Sequence, residues 1–112
     1  MAELQYRYAT MNSGKTLDLI HNAYNYEENG FQVLVLKPQI DTKAGNMIIS
    51  RVGMTRKVDF LIQKNDNILK RLRDKLENIS CIFVDEVQFL SKRQIDELFL
   101  LTKIIDVTVI CY

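Results

Sequence analysis

The chain has 112 residues, enough for one domain, and with 47% apolar residues it can bury a single core. Fifteen Lys plus Arg against fourteen Asp plus Glu leave a formal charge of +1, far from the basic field that binding a nucleic-acid backbone needs. No stretch approaches the roughly 18 apolar residues of a membrane span, and the N-terminal MAELQYRYAT lacks the apolar heart of a signal peptide. Cys81 and Cys111 are too few for a disulfide framework and sit in apolar runs, so buried reduced thiols and a cytoplasmic location are expected.

In chain order, Leu4 to Tyr8 reads as a short strand running into the turn-forming TMNSG. Leu17, Ile20, Ala23 and Tyr24 then recur at helical spacing, predicting a helix from Lys15 to Asn29 that Gly30 stops. FQVLVL (Phe31 to Leu36) is an apolar run expected to be a strand covered on both faces and ended by Pro38. Between them these elements make a βαβ unit. Short strands are expected at Met47 to Ser50 and Val58 to Ile62, and Ile68, Leu69, Leu72, Leu76 and Ile79 predict an amphipathic second helix. CIFV (Cys81 to Val84) is a buried strand that runs into Asp85 and Glu86, Ser91 to Ile105 is a third helix, and Val107 to Tyr112 (VTVICY) is a last strand. Strands that are apolar throughout, alternating with helices, predict a parallel α/β sheet covered on both faces. Ending on such a strand, the chain is expected to be an incomplete domain spanning residues 1–112, with VTVICY presenting an exposed apolar edge open to pairing with other molecules.

Two places carry chemistry. Ser13-Gly14-Lys15-Thr16, after a strand and opening a helix, is the end of a phosphate-binding loop. Backbone N–H groups and the helix dipole favour an anion there, Lys15 adds a point charge, and the Thr16 hydroxyl can hold Mg²⁺. A random chain of this composition contains one G-K-[ST] tripeptide only about 3% of the time, before the flanking strand and helix are required. Five residues before Gly14 stands Ala9 where the general pattern has glycine, a strain if that position needs φ > 0 and harmless otherwise. The second place is the end of CIFV, where a buried strand delivers Asp85 and Glu86 to the carboxyl edge at which open α/β sheets bind ligands. Asp85 would orient Mg²⁺ directly or through water, and Glu86, pointing the other way along the strand, could accept a proton from an attacking hydroxyl. A solvated strand end is the plainer reading of the pair taken alone; downstream of a phosphate loop it becomes the expected partner.

YRYATMNSGKT, CIFVDEVQFL and VICY, in this order and at these separations, resemble the type II thymidine kinases of bacteria across essentially the whole chain. The resemblance implies a P-loop NTPase with a RecA-like core, transferring the γ-phosphate of ATP to the 5′-hydroxyl of thymidine or deoxyuridine with Mg²⁺, assembled as a homotetramer. It implies a phosphate loop of Ala9, Thr10, Met11, Asn12, Ser13, Gly14, Lys15 and Thr16, with Met11 also near the thymine. Asp85 becomes the magnesium-side carboxylate and Glu86 the catalytic base, both with Val87 and Gln88 against the nucleotide, and Phe89 an aromatic near the nucleoside or a core residue. Arg51, in IISRVG, corresponds to an arginine facing the transferring phosphate, a solvated loop arginine being the alternative. Ala9 and Val87 depart from smaller residues in the family pattern. Members of this family continue past VICY into a base-binding lid and a lobe with four Cys or His ligands for structural zinc; two cysteines and one histidine cannot supply that set, so zinc is expected only beyond these residues. A nucleotide-binding remnant without kinase activity and a RecA-like ATPase are the competing readings. His21 reads as an ordinary helix residue, and Lys70, Arg71, Arg73 and Lys75 as a solvated helix face.

Overall fold

The structure, a computed structural model, describes residues 2–7, 14–39 and 45–112. Five parallel strands form the main sheet in the order β1-β7-β6-β2-β5: β1 (Leu4–Tyr6), β2 (Gln32–Pro38), β5 (Phe60–Ile62), β6 (Ile79–Val84) and β7 (Thr108–Cys111). An antiparallel hairpin of β3 (Met47–Ile49) and β4 (Thr55–Lys57) stands apart from it. The helices are α1 (Lys15–Glu28), α2 (Ile68–Leu72) and α3 (Lys92–Ile104). The parallel α/β class expected from the sequence is thus the observed one.

Because side chains alternate across a strand, each central strand feeds two separate cores. Cys81 and Phe83 of β6, with Val33 and Val35 of β2, pack beneath Leu19, Ile20 and Ala23 of α1 and Ile48 of the hairpin. Ile82 and Val84, with Leu36 and Val109, face Ile68 and Leu72 of α2 and Leu98 and Leu101 of α3. This two-sided burial is why FQVLVL, CIFV and VTVICY show no polar alternation.

Four differences from the sequence expectations have physical causes. The α1 core stripe is Leu19, Ile20 and Ala23, whereas Tyr24 turns outward and is 57% exposed. Phe31 precedes its strand and is exposed. The expected helix from Ile68 to Ile79 closes at Leu72, tightens into one 3₁₀ turn over Arg73–Lys75, and reverses at Asn78 with φ 68°, so Ile79 opens β6 instead. VTVICY is not an exposed edge: β7 lies between β1 and β6, with Leu4 opposite Val109 and Ile82 opposite the same residue on the other side.

Candidate phosphate and metal site

α1 starts at Lys15 and is entered through Gly14, whose φ of 79° lies in the left-handed region that a Cβ disfavours. The Gly14 carbonyl accepts the first helical bond, from the Asp18 N–H at 3.0 Å. Lys15 and Thr16 therefore occupy the first turn, where backbone N–H groups have no partner within the helix. Ala9 to Ser13, Met11 included, lie outside the described residues.

Across the sheet, β6 ends at Val84, and the Asp85 N–H is held by the Leu36 carbonyl at 2.9 Å. The Asp85 side chain is 5% exposed, and its Oδ2 accepts a bond from the Thr16 hydroxyl at 3.4 Å. Burial pushes the Asp85 carboxyl up to about 6, and the neighbouring Glu86 charge adds to the rise; a Glu86 backbone hydrogen bond, the Thr16 hydroxyl and the Lys37 ammonium pull the other way. A hydroxyl and a carboxylate oxygen at one point are the hard oxygen donors Mg²⁺ prefers, so these residues fit that ion.

Glu86 does not continue the strand, as strand alternation had led one to expect. It sits in the left-handed region (φ 55°, ψ 42°), starting a 3₁₀ turn over Val87–Phe89, so its direction is set by that turn. Its Oε2 accepts from the Gln88 side-chain amide at 3.0 Å. A non-glycine residue held there costs on the order of 1–3 kcal/mol, a cost seen most often at functional positions. The turn is locked onto β7 by the Val87 N–H to Tyr112 carbonyl bond at 3.0 Å.

Lys15, Val87 and Gln88 line one cleft of about 190 Å³ with Arg7 and Tyr112. Phe89, 54% exposed and so not a core residue, borders a different cleft of about 350 Å³ with Pro38, Gln39 and Gln94, on the β2–β5 side. Arg51 is in the hairpin turn, at the end opposite the Met47–Lys57 pair. The structure thus joins Thr16 to Asp85 and brings Lys15 and Gln88 to one cleft, whereas Phe89, on the same 3₁₀ turn as Gln88, borders a different cleft and Arg51 lies on the hairpin. Sequence reasoning missed Lys37, a buried lysine at the end of β2; the available signal was a cation placed directly after an apolar run.

A parallel sheet flanked by helices, with a glycine-entered helix bearing Lys-Thr and a buried acid at a strand end bonded to that threonine, is an α/β fold of the P-loop NTPase kind. Comparison with known proteins narrows the class: the thymidine kinase family model matches residues 2–112, and the chain belongs to that family. It is 39% identical to a thymidine kinase of Coxiella burnetii over 116 residues, spanning all of this chain and 59% of that protein. It is 37% identical to one of Rhodopirellula baltica, spanning 54% of it, and 36% identical to one of Shewanella oneidensis, spanning 59%. The chain therefore spans little more than half the length of these curated relatives.

Proposed function

We propose that these residues form the ATP-handling part of an enzyme that phosphorylates the 5′-hydroxyl of thymidine or deoxyuridine in nucleotide salvage. The observation that carries the reading is the Thr16–Asp85 contact between the first turn of α1 and the end of β6, in a chain of the thymidine kinase family. In this reading Lys15 and the N–H groups of the loop from Ala9 to Thr16 bind the phosphates. Asp85 and Thr16 would hold Mg²⁺, which when bound would neutralise phosphate charge. Glu86 takes the proton of the 5′-hydroxyl while that oxygen bonds to the γ-phosphorus and the bond to the β-phosphate oxygen breaks, releasing ADP. Gln88 orients the Glu86 carboxylate through their 3.0 Å bond. Met11 and Phe89 would contact the nucleoside, and Arg51 would approach the transferring phosphate.

A homotetramer, a cytoplasmic location and no nucleic-acid partner complete the proposal. Structural zinc belongs to it only for a longer chain: among the described residues no cluster of three His, Cys, Asp or Glu could hold a metal, and the Cys81 and Cys111 thiols, buried in the sheet, are each pushed up to about 12.

The discriminating variant is Glu86→Gln, assayed by thymidine phosphorylation and by calorimetry with Mg·ATP. Turnover is expected to fall by more than about a hundredfold with nucleotide affinity nearly unchanged. Lost affinity with full turnover would overturn the assignment. A second reading, favoured by the share of the relatives that the chain spans, is binding of Mg·ATP without transfer by these residues alone; it predicts wild-type affinity and no labelled thymidine monophosphate.

A further inference from the structure

Of the charged side chains buried among the described residues, Glu97 is accounted for by its own partners, the Ile68 N–H at 2.7 Å and Arg93 at 3.1 Å. The other two, Lys37 and Asp85, come as neighbours. Leu36 and Val84 are register partners on β2 and β6, so Lys37 and Asp85 are the next residues on adjacent strands at the carboxyl edge. Burying an ammonium is costly unless its charge and its three donors are used. Yet no ion pair joins Lys37 to Asp85 or to any other described carboxylate. Its Nζ donates instead to the Met47 carbonyl at 2.7 Å, at the first residue of β3. Lys37 thus brings a cation to the edge where Asp85 and Thr16 meet, while its hydrogen bond holds the hairpin.

That hairpin has further polar ties among the described residues. Arg56 of β4 grips Glu27 of α1 through two bonds of 2.6 and 2.8 Å, and the Val58 N–H bonds the Asn46 carbonyl at 2.7 Å below it. Its turn carries Arg51. A phosphate group arriving beside Asp85 would draw on the Lys37 ammonium, and whatever moves that ammonium is felt at Met47.

We propose that Lys37 is a positioning residue that couples the β3–β4 hairpin, and with it Arg51, to the phosphate-bearing ligand at the carboxyl edge. The inference rests on the nucleotide site proposed above. Coupling of this kind is reciprocal: ligand binding steadies the hairpin to the same degree that a seated hairpin favours ligand.

The test uses Mg·ATP as probe. In wild-type protein, saturating Mg·ATP is expected to slow amide hydrogen exchange at Ser50, Met54 and Val58 by about fivefold or more. Lys37→Met is expected to abolish that protection and weaken Mg·ATP about fivefold or more, and Lys37→Arg to restore part of both. A side chain that merely fills space would lower the melting temperature in Lys37→Met while leaving affinity and the ligand-induced protection intact, and that result overturns the proposal. Should Lys37→Met fail to fold, the wild-type exchange experiment decides alone: hairpin amides indifferent to Mg·ATP would refute coupling. Lys15→Ala serves as control. If it binds Mg·ATP as tightly as wild type, the nucleotide site itself is wrong; if it binds weakly while Lys37→Met does not, only the role of Lys37 falls.

Discussion

The N-termini of α1 and α3 are built for opposite ends. At α3 the chain satisfies its own backbone: the Ser91 hydroxyl accepts the Gln94 N–H at 3.1 Å and the Gln94 side chain accepts the Ser91 N–H at 3.1 Å, a complete capping box. α2 is served similarly by the Asn67 side chain on the Lys70 N–H and by Glu97, reaching from α3, on the Ile68 N–H. At α1 the cap position is Gly14, which has no side chain to offer. The lesson is that one fold closes two helix ends for stability and, among the described residues, leaves the third without a side-chain cap, next to a buried acid and a lysine.

If that contrast is right, substitutions on the two sides should trade stability and binding in opposite senses. The largest effect is expected at Asp85. Its folded carboxyl sits near 6, above the unfolded value of about 3.9, so the stability it permits is complete below the unfolded value and is lost as pH rises through about 6. At pH 7 the cost is about 3 kcal/mol. Asp85→Asn should remove it: urea titrations should show a variant more stable than wild type at neutral pH, the gap closing toward pH 4, while the Mg²⁺ requirement rises. A variant less stable at every pH would contradict this.

Next in size is Glu97→Ala, which strips the Ile68 N–H and Arg93 of their acceptor and should cost about 2 kcal/mol with Mg·ATP affinity unchanged. Lys15→Ala should do the reverse, weakening Mg·ATP by more than about tenfold in calorimetry, or roughly 1.4 kcal/mol, with little change in melting temperature. Smallest is Ser91→Ala, expected to cost about 1 kcal/mol and to leave nucleotide binding alone. Equal losses of affinity from Ser91→Ala and Lys15→Ala would erase the distinction between the two helix ends.

Much of this contrast was legible in the residues. Gly14-Lys15-Thr16 and Asp85-Glu86 announce themselves because their neighbours are regular: a helix pattern after one, an apolar strand before the other. β4 was not legible, since Thr55–Lys57 is a polar strand paired through its backbone and carries no apolar signal. The second helix was overdrawn because Leu76 and Ile79 keep helical spacing while serving a turn and a strand. Strand order is a tertiary property, so nothing in VTVICY tells that β1 covers one of its sides. Lys37 looked like the polar end of a strand, and the carbonyl it bonds, that of Met47, belongs to a hairpin that no local pattern announces. The direction of Glu86 was missed for a similar reason: a left-handed residue breaks the alternation on which strand arguments depend.

The placement of β1 has a consequence for the order of assembly. Leu4 to Tyr6 pairs with Val109 to Cys111, and the Arg7 N–H bonds the Cys111 carbonyl at 2.8 Å, so β1 finds this sheet partner only once β7, far along the chain, is present. Closing so long a stretch of chain is slow relative to local contacts. During synthesis, α1, β2 and β6 can collect around Phe83 while β1 waits. Gly14 and α1 are therefore placed before Arg7, whose strand joins the sheet only after β7.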